Sequence, residues 1–262
     1  MSLTAKSTLV FCATGHLGRA AAAALHRHGA RVQLVARDRQ RAAELQRDLG
    51  VADAPLVADV RDPEQVDAAI AETHRRQGRI DVVFNGVGPR AAEAGYGQLA
   101  ADLPLDRFDA TLGSIVGGQF VTAAAISRYW RERGQAGTLL LLTSSMSRVK
   151  LAGSPALSAA SAAVEGLMRS LAGELGPLGG RAICINPTAL PETATIRETA
   201  ELQAARLGVP VEAMMQGMRG GLTGRPPSLA EVGDLIAFAA SDAGAILNSH
   251  VVDADRGTAS VI

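Results

Sequence analysis

Seven residues, Cys12-Ala13-Thr14-Gly15-His16-Leu17-Gly18, end one apolar run and open an Ala-rich helical pattern. At a strand-to-helix turn of this kind, glycines let the backbone turn sharply and approach a pyrophosphate, while amides at the helix N-terminus face the anion. Read as GxxGxxG, the turn keeps Gly15 and Gly18 and carries Cys12 where the first glycine belongs. Arg37 follows the next apolar run, where an acidic residue would hold a ribose hydroxyl and a cation accommodates a 2′-phosphate. NADP(H) is therefore the expected cofactor in preference to NAD, with neighbouring Asp38 acting against that preference. Tyrosines and lysines are scarce: the chain has two of each, Tyr96 and Tyr129, Lys6 and Lys150. Cys12 and Cys184 each read as part of a buried strand and belong to no metal-ligand spacing. His26 and His28 are two apart, which on a helix points them in different directions, so no metal site is expected.

The elements that position these groups follow from apolar periodicity. Strand-like runs fall at Leu9 to Ala13, Val32 to Ala36, Leu56 to Val60, Asp81 to Asn85, Thr138 to Thr143, Arg181 to Ile185 and His250 to Ala254. Helical patterns lie between them at Gly18 to His28, Arg39 to Leu49, Pro63 to Gln77, Leu105 to Arg133 and Leu157 to Gly176. Strands separated so regularly by helices predict one α/β domain over residues 1–262, a Rossmann-type doubly wound parallel sheet with its ligand crevice at the carboxyl ends of the strands. Residues 188–224 break the rhythm with two short helical stretches joined through Gly208 and Pro210, and a substrate lid is expected there. Met214, Met215 and Met218 either line an adaptable apolar pocket within it or simply pack it.

Composition narrows the partners. Of the 262 residues 47% are hydrophobic and 3% aromatic, which fits a core of Ala, Val, Leu and Ile between sheet and helices. The formal charge is zero and no block of Lys or Arg stands out, so neither nucleic acid nor a membrane surface is an expected partner. The Ala20 to Leu25 stretch is too short for a membrane span, and a soluble cytoplasmic protein acting on a small molecule is the expectation.

Several further pieces share an order and spacing. They are Ala58-Asp59-Val60, Asn85-Gly86-Val87-Gly88, Phe108-Asp109, Leu142-Thr143-Ser144-Ser145, Ala162-Ala163-Val164-Glu165-Gly166-Leu167, Gly224-Arg225-Pro226, Phe238 to Asp242 and Asp255-Arg256-Gly257. Together with the Gly15/Gly18 turn they make the chain resemble the short-chain dehydrogenase/reductases over nearly its whole length. The resemblance implies that Asp59 faces an adenine amino group, with Val60 beside it. It also implies that the backbone of Asn85, Gly86 and Val87 passes close to the adenosine ribose, as Gly86 and Gly88 allow. Measured against that family's TGxxxGxG spacing, Cys12 and His16 both replace glycines.

In that family a Tyr exchanges the substrate's proton, a Lys four residues on lowers its pKa and holds the nicotinamide ribose, a Ser polarises the carbonyl and an Asn completes a relay. Counting from Ala162-Ala163-Val164 places Leu157 at the Tyr position and Ser161 at the Lys position, and counting from Phe108-Asp109 places Ile115 at the Asn position. Neither tyrosine has a lysine four residues later. Ser144 has the family's separation from the Tyr position and Ser145 better matches the strand end; Ser145 is the preferred polarising residue. The family's Pro-Gly after the sixth strand becomes Pro187-Thr188. Lys150, Tyr96 and His16 are the available replacement acids.

Three functions are compatible with this pattern. The chain is an NADP(H)-linked oxidoreductase of a small alcohol or carbonyl compound with a non-standard active site; or it binds nucleotide without redox chemistry or catalyses a dehydration or cyclisation; or it is an interaction subunit. The resemblance further implies a homodimer or homotetramer. Residues expected at the adenosine are mostly kept and those at the nicotinamide mostly replaced, which predicts nucleotide docking without the family's standard reaction.

Overall fold

The computed structural model describes residues 2–88, 90–218 and 222–257. Among the described residues seven strands form one sheet: β1 (Ser7–Phe11), β2 (Arg31–Ala36), β3 (Leu56–Val57), β4 (Val82–Asn85), β5 (Thr138–Leu142), β6 (Arg181–Pro187) and β7 (Val251–Ala254). Their order is β3-β2-β1-β4-β5-β6-β7 with every pairing parallel. The predicted fold class is thus the observed one, a single Rossmann-type α/β domain.

Alternation along each central strand divides the core into two layers. Leu9, Phe11, Leu139 and Leu141 face one side, where they meet Val66, Ile126, Trp130, Val164 and Met168. Val10, Leu34, Phe84, Leu140 and Ile183 face the other, against Ala21, Leu25, Val232 and Ile236. Helices α1 (His16–Arg27), α2 (Arg39–Leu49) and α9 (Leu229–Ala240) cover this second face, and α3 (Pro63–Gln77), α5 (Gly118–Glu132) and α6 (Pro155–Leu175) cover the first.

Local chemistry fixes the helix ends. The Asp38 side chain accepts from Arg41 N to cap α2, and Gly50 closes that helix in the left-handed region. Asp62 caps α3, with Pro63 in its first turn. Ser228 and Glu231 form a reciprocal capping box that starts α9. The sequence reading missed α9 as an element, although Ser228-x-x-Glu231 ahead of an apolar run is the signal for it.

β1 begins at Ser7, two residues before the expected Leu9, because both polar residues find partners: Ser7 N donates to Asp81 Oδ2 at 2.8 Å and Thr8 Oγ1 to Arg31 O at 3.2 Å. Cys184 is buried in β6 as expected. Cys12 is not in a strand: it leaves β1 at a φ of 55°. The expected single helix at Leu105 to Arg133 is α4 (Leu105–Leu112), a π-helical turn at Gly113–Gly117, and α5. This stretch is apolar and long enough to cross a bilayer by length and composition, yet Ala123, Ile126 and Trp130 pack it into the core. Beyond β6, residues 188–218 carry α7 (Ala194–Leu207) and α8 (Val211–Gly217), the two helical stretches anticipated for a lid. Residues 219–221 of that segment lie outside the described residues.

Candidate active site

The sheet order places a switch point between β1 and β4, since the chain winds outward through β2 and β3 before returning beside β1. Ligands of open parallel sheets bind outside the strands' carboxyl ends at such a point. Two adjoining spaces open there, a cleft of about 1390 Å³ and a cavity of about 510 Å³, which share Gly15, His16, Gly86 and Gly88.

Backbone geometry builds the cleft. A Cβ added to Gly18 would lie 2.2 Å from Cys12 O and 2.9 Å from Ala13 Cα, so the start of α1 can rest on the turn only because this residue is glycine. Cys12 at a φ of 55° takes a left-handed conformation that suits the missing glycine better than a thiol-bearing residue. Gly15 is the N-cap of α1, no side chain caps the helix, and its first turn has no acidic residue. The N-terminal amides are left open to an anion.

Cys12, Thr14, Gly15, His16, Arg37, Asp59, Val60, Gly86 and Val87 all line this cleft. Leu17 instead lines the adjoining cavity. Gly18 is buried and acts through the close approach just described. The Asn85 side chain is engaged within the protein. It is 0% exposed; its amide donates to Gly118 O at 3.0 Å and Thr122 Oγ1 at 2.7 Å, and its Oδ1 accepts from Val87 N at 2.9 Å. Its side chain ties β4 to α5 and shapes the loop above it, with no polar atom left for a ligand.

Arg37, just ahead of the α2 cap, shares the cleft with Arg41 in the first turn of α2, whose Nη2 lies 3.4 Å from Thr14 O. Asp38 is occupied as the α2 cap, accepting from Arg41 N at 3.0 Å, which weakens it as an obstacle to a phosphate. Arg41 escaped the sequence reading, although it stands only four residues after Arg37, in the first turn of the helix that follows. Arg61 escaped it too. It donates to both Asp59 oxygens, at 3.1 and 2.7 Å, and holds that carboxyl down at about 2. Burial pushes the Cys12 thiol up to about 12 against the opposing pull of Arg37.

The cavity is built of side chains, from the end of β5, the first turn of α6 and the segment 187–218. Leu157 lines it and is 4% exposed. Ser161 stands one turn on, buried, with its hydroxyl 2.8 Å from Ser144 Oγ, and its carbonyl accepts from Thr143 Oγ1 at 3.1 Å. Met146 N also donates to Ser144 Oγ, at 3.4 Å. Ser144 and Ser145 both line the cavity, but it is Ser144 whose hydroxyl is held by neighbours. That geometry runs against the preference for Ser145. Ile115 falls within the π-helical turn, 4% exposed and on the cleft wall. Extra-residue helical turns of this kind are frequent at functional sites. Tyr96, Lys150 and His16 all reach the cavity wall, as do Thr193, Thr199 and Met218 from the segment beyond β6; Met215 is buried. Among the described residues no cluster of His, Cys, Asp and Glu is suited to a metal.

Comparison with known proteins agrees with this architecture. A family profile described as enoyl-(acyl carrier protein) reductase matches residues 13–259. An uncharacterized oxidoreductase of Mycobacterium tuberculosis is 32% identical over 200 residues, covering 74% of this chain and 71% of that one. The levodione reductase of Leifsonia aquatica is 29% identical over 247 residues, covering 92% of this chain and 89% of its own. A solved levodione reductase structure superposes with a TM-score of 0.87 at 26% identity, covering 99% of both chains.

Proposed function

The chain belongs to the short-chain dehydrogenase/reductase family of oxidoreductases, and on that premise we propose that it is an NADP(H)-linked oxidoreductase of a small alcohol or carbonyl compound with an atypical proton-handling site. The observation that carries this reading is the intact cleft: Gly18 seated on Cys12 O, an uncapped α1 N-terminus, and Arg37 with Arg41 beside it. With the Gly15 amide donating to Cys12 O at 3.0 Å, the His16 and Leu17 amides would hold the pyrophosphate, Arg37 and Arg41 a 2′-phosphate, and Asp59 with Val60 the adenine. When bound, the cofactor supplies or accepts a hydride.

On the substrate side, Ser144 polarises the carbonyl. Its oxygen accepts from Met146 N and can accept the Ser161 proton, which leaves its own proton free to donate into the cavity. Hydroxyls held in place need no reorganisation as charge develops on a substrate oxygen. Leu157 cannot exchange a proton, and Ser161 lacks the charge to depress a neighbouring phenol or the reach to grip a ribose. Losing a positioned general acid costs about 10²–10⁴ in rate, so turnover through the family's standard route is expected to be very slow. The segment 188–218 closes the cavity as a lid.

The same losses support a second reading, in which the protein docks nucleotide but performs a non-redox step such as dehydration or cyclisation. Titrating NADPH and NADH against the protein's fluorescence separates the outcomes. Tighter binding of NADPH, together with its consumption on a ketone panel and loss of that consumption in Ser144→Ala, supports the oxidoreductase. Binding with no consumption on any ketone favours the second reading. No binding at millimolar concentrations of either dinucleotide overturns both.

A further inference from the structure

Leucine at position 157 leaves the cavity without the phenol that the family places there, yet another phenol stands on the same wall. Tyr96 lies on the loop between β4 and α4 and lines the cavity together with Leu157 and Ser144. That loop is pinned: Gly97 N donates to Gly153 O at 2.8 Å, just ahead of α6, and a Cβ at Gly97 would lie 3.0 Å from Leu202 O on α7. Tyr96 is thus fixed between the start of the helix that carries Leu157 and the segment that closes the cavity. Its ring packs against the apolar layer that includes Leu157. Its main-chain amide bonds to Ala91 O at 3.2 Å, but its hydroxyl makes no hydrogen bond with a described residue. Tyr129 contrasts with it, since its hydroxyl is 2.9 Å from His74 Nδ1.

The hydroxyl is not among the sealed, partnerless polar atoms of the core, so it is open to a ligand or water. Burial pushes its pKa above the ordinary tyrosine range, which keeps it a protonated donor. The remaining wall is apolar or carries hydroxyls: Leu142, Leu151, Pro187, Thr188 and Ile196. Charged residues on the lining, Arg90 and Lys150, are exposed. A charged group deep in such a space would lose its hydration without compensation, and about 510 Å³ is enough for a ligand of modest size.

We propose that Tyr96 is the substrate-binding phenol of this cavity, donating a hydrogen bond to the carbonyl oxygen of an uncharged, largely apolar carbonyl compound. This rests on reading the cavity as the substrate site and is independent of which cofactor binds. Neither Lys150 nor His16 serves as well. Lys150 projects from the exposed end of the wall, and His16 belongs to the turn at the start of α1.

Menthone and p-menthane, the same skeleton without oxygen, provide the test, with NADPH binding measured in parallel. In a Tyr129→Phe protein the remaining tyrosine absorbance belongs to Tyr96. Menthone is expected to shift that absorbance and p-menthane to leave it unchanged. Tyr96→Phe is expected to weaken menthone about 3- to 10-fold, the worth of one neutral hydrogen bond, with p-menthane unaffected. The proposal is overturned if menthone fails to bind, if it binds with no change in Tyr96 absorbance, or if a folded Tyr96→Phe protein binds it as tightly as the parent. Loss of NADPH binding with the menthone contrast intact removes the oxidoreductase reading and leaves Tyr96 in its role.

Discussion

The cleft beside Arg37 is shaped mostly by main chain, whereas the cavity beside Leu157 is built of side chains. The cleft depends on the approach of Gly18 to Cys12 O and on the free amides of α1, features that belong to the fold itself. A side-chain change such as the cysteine at position 12 distorts the turn without abolishing it. The cavity's reagents are separable from stability. Leu157 is buried among apolar neighbours, and Ser161 is satisfied by Ser144, so a proton donor and a cation can be replaced with no cavity or orphaned charge left behind. A site made of backbone therefore tolerates sequence drift better than one made of reagents.

The largest test strikes the backbone half. Gly18→Ala puts a methyl group 2.2 Å from Cys12 O, where rigid main chain on both sides prevents relief. Overpacking of this severity costs about 3 kcal/mol. The expected outcome is a lower midpoint in urea and nucleotide binding reduced below detection. If the variant binds NADPH as the parent does, the cleft is not the nucleotide site.

The complementary test restores reagents to the other half. In a Tyr96→Phe background, Leu157→Tyr with Ser161→Lys supplies a phenol and a cation one helical turn apart. Ketone reduction is expected to rise by about 10² or more, in line with the worth of a positioned acid. NADPH consumption measures it. No gain in a folded protein that binds both cofactor and ketone means that the backbone around Ile115 and Thr188 has also moved away from the geometry the reaction needs.

A smaller effect distinguishes the two dinucleotides. Arg37→Ala removes a cation from the cleft, and a charge-assisted hydrogen bond is worth about 1.5–3 kcal/mol, roughly 10- to 100-fold in affinity. NADPH is expected to weaken by that factor while NADH changes little. Equal weakening of both would assign Arg37 to the cleft's general field and not to a 2′-phosphate.

What the sequence could disclose follows the same division. Strands stood out as apolar runs because both faces of the sheet are buried, and β1 was mis-set by two residues only because Ser7 and Thr8 are polar but satisfied. The Gly15/Gly18 turn was legible since its residue types report backbone geometry. Partnering was not. Asn85 stands where the resemblance puts a ribose contact, but its amide is used up by Gly118 and Thr122, which are more than thirty positions away. The Ser144–Ser161 contact, seventeen positions apart, is likewise a three-dimensional fact. Counting alone could not choose between Ser144 and Ser145, since both sit at the end of β5 and only contacts across to α6 separate them.

The smallest effect is expected at Cys12, where the two halves meet in one residue. Its φ of 55° costs a non-glycine residue about 1–2 kcal/mol, and Cys12→Gly relieves this. The same change removes a side chain packed on the apolar layer, a loss of about 1 kcal/mol, so the urea midpoint is expected to move little. Nucleotide affinity should rise slightly as the cleft loses a thiol. Chemistry at the thiol gives an independent reading. With its pKa pushed up to about 12 by burial, the thiolate fraction at pH 8 is about 10⁻⁴, so iodoacetamide should modify Cys12 far more slowly than a free cysteine. The rate should climb roughly tenfold per pH unit towards pH 11 and fall when NADPH fills the cleft. Modification at the pace of a free thiol at pH 8 would mean that the turn opens in solution, and that the backbone half is less rigid than the fit of Gly18 against Cys12 O requires.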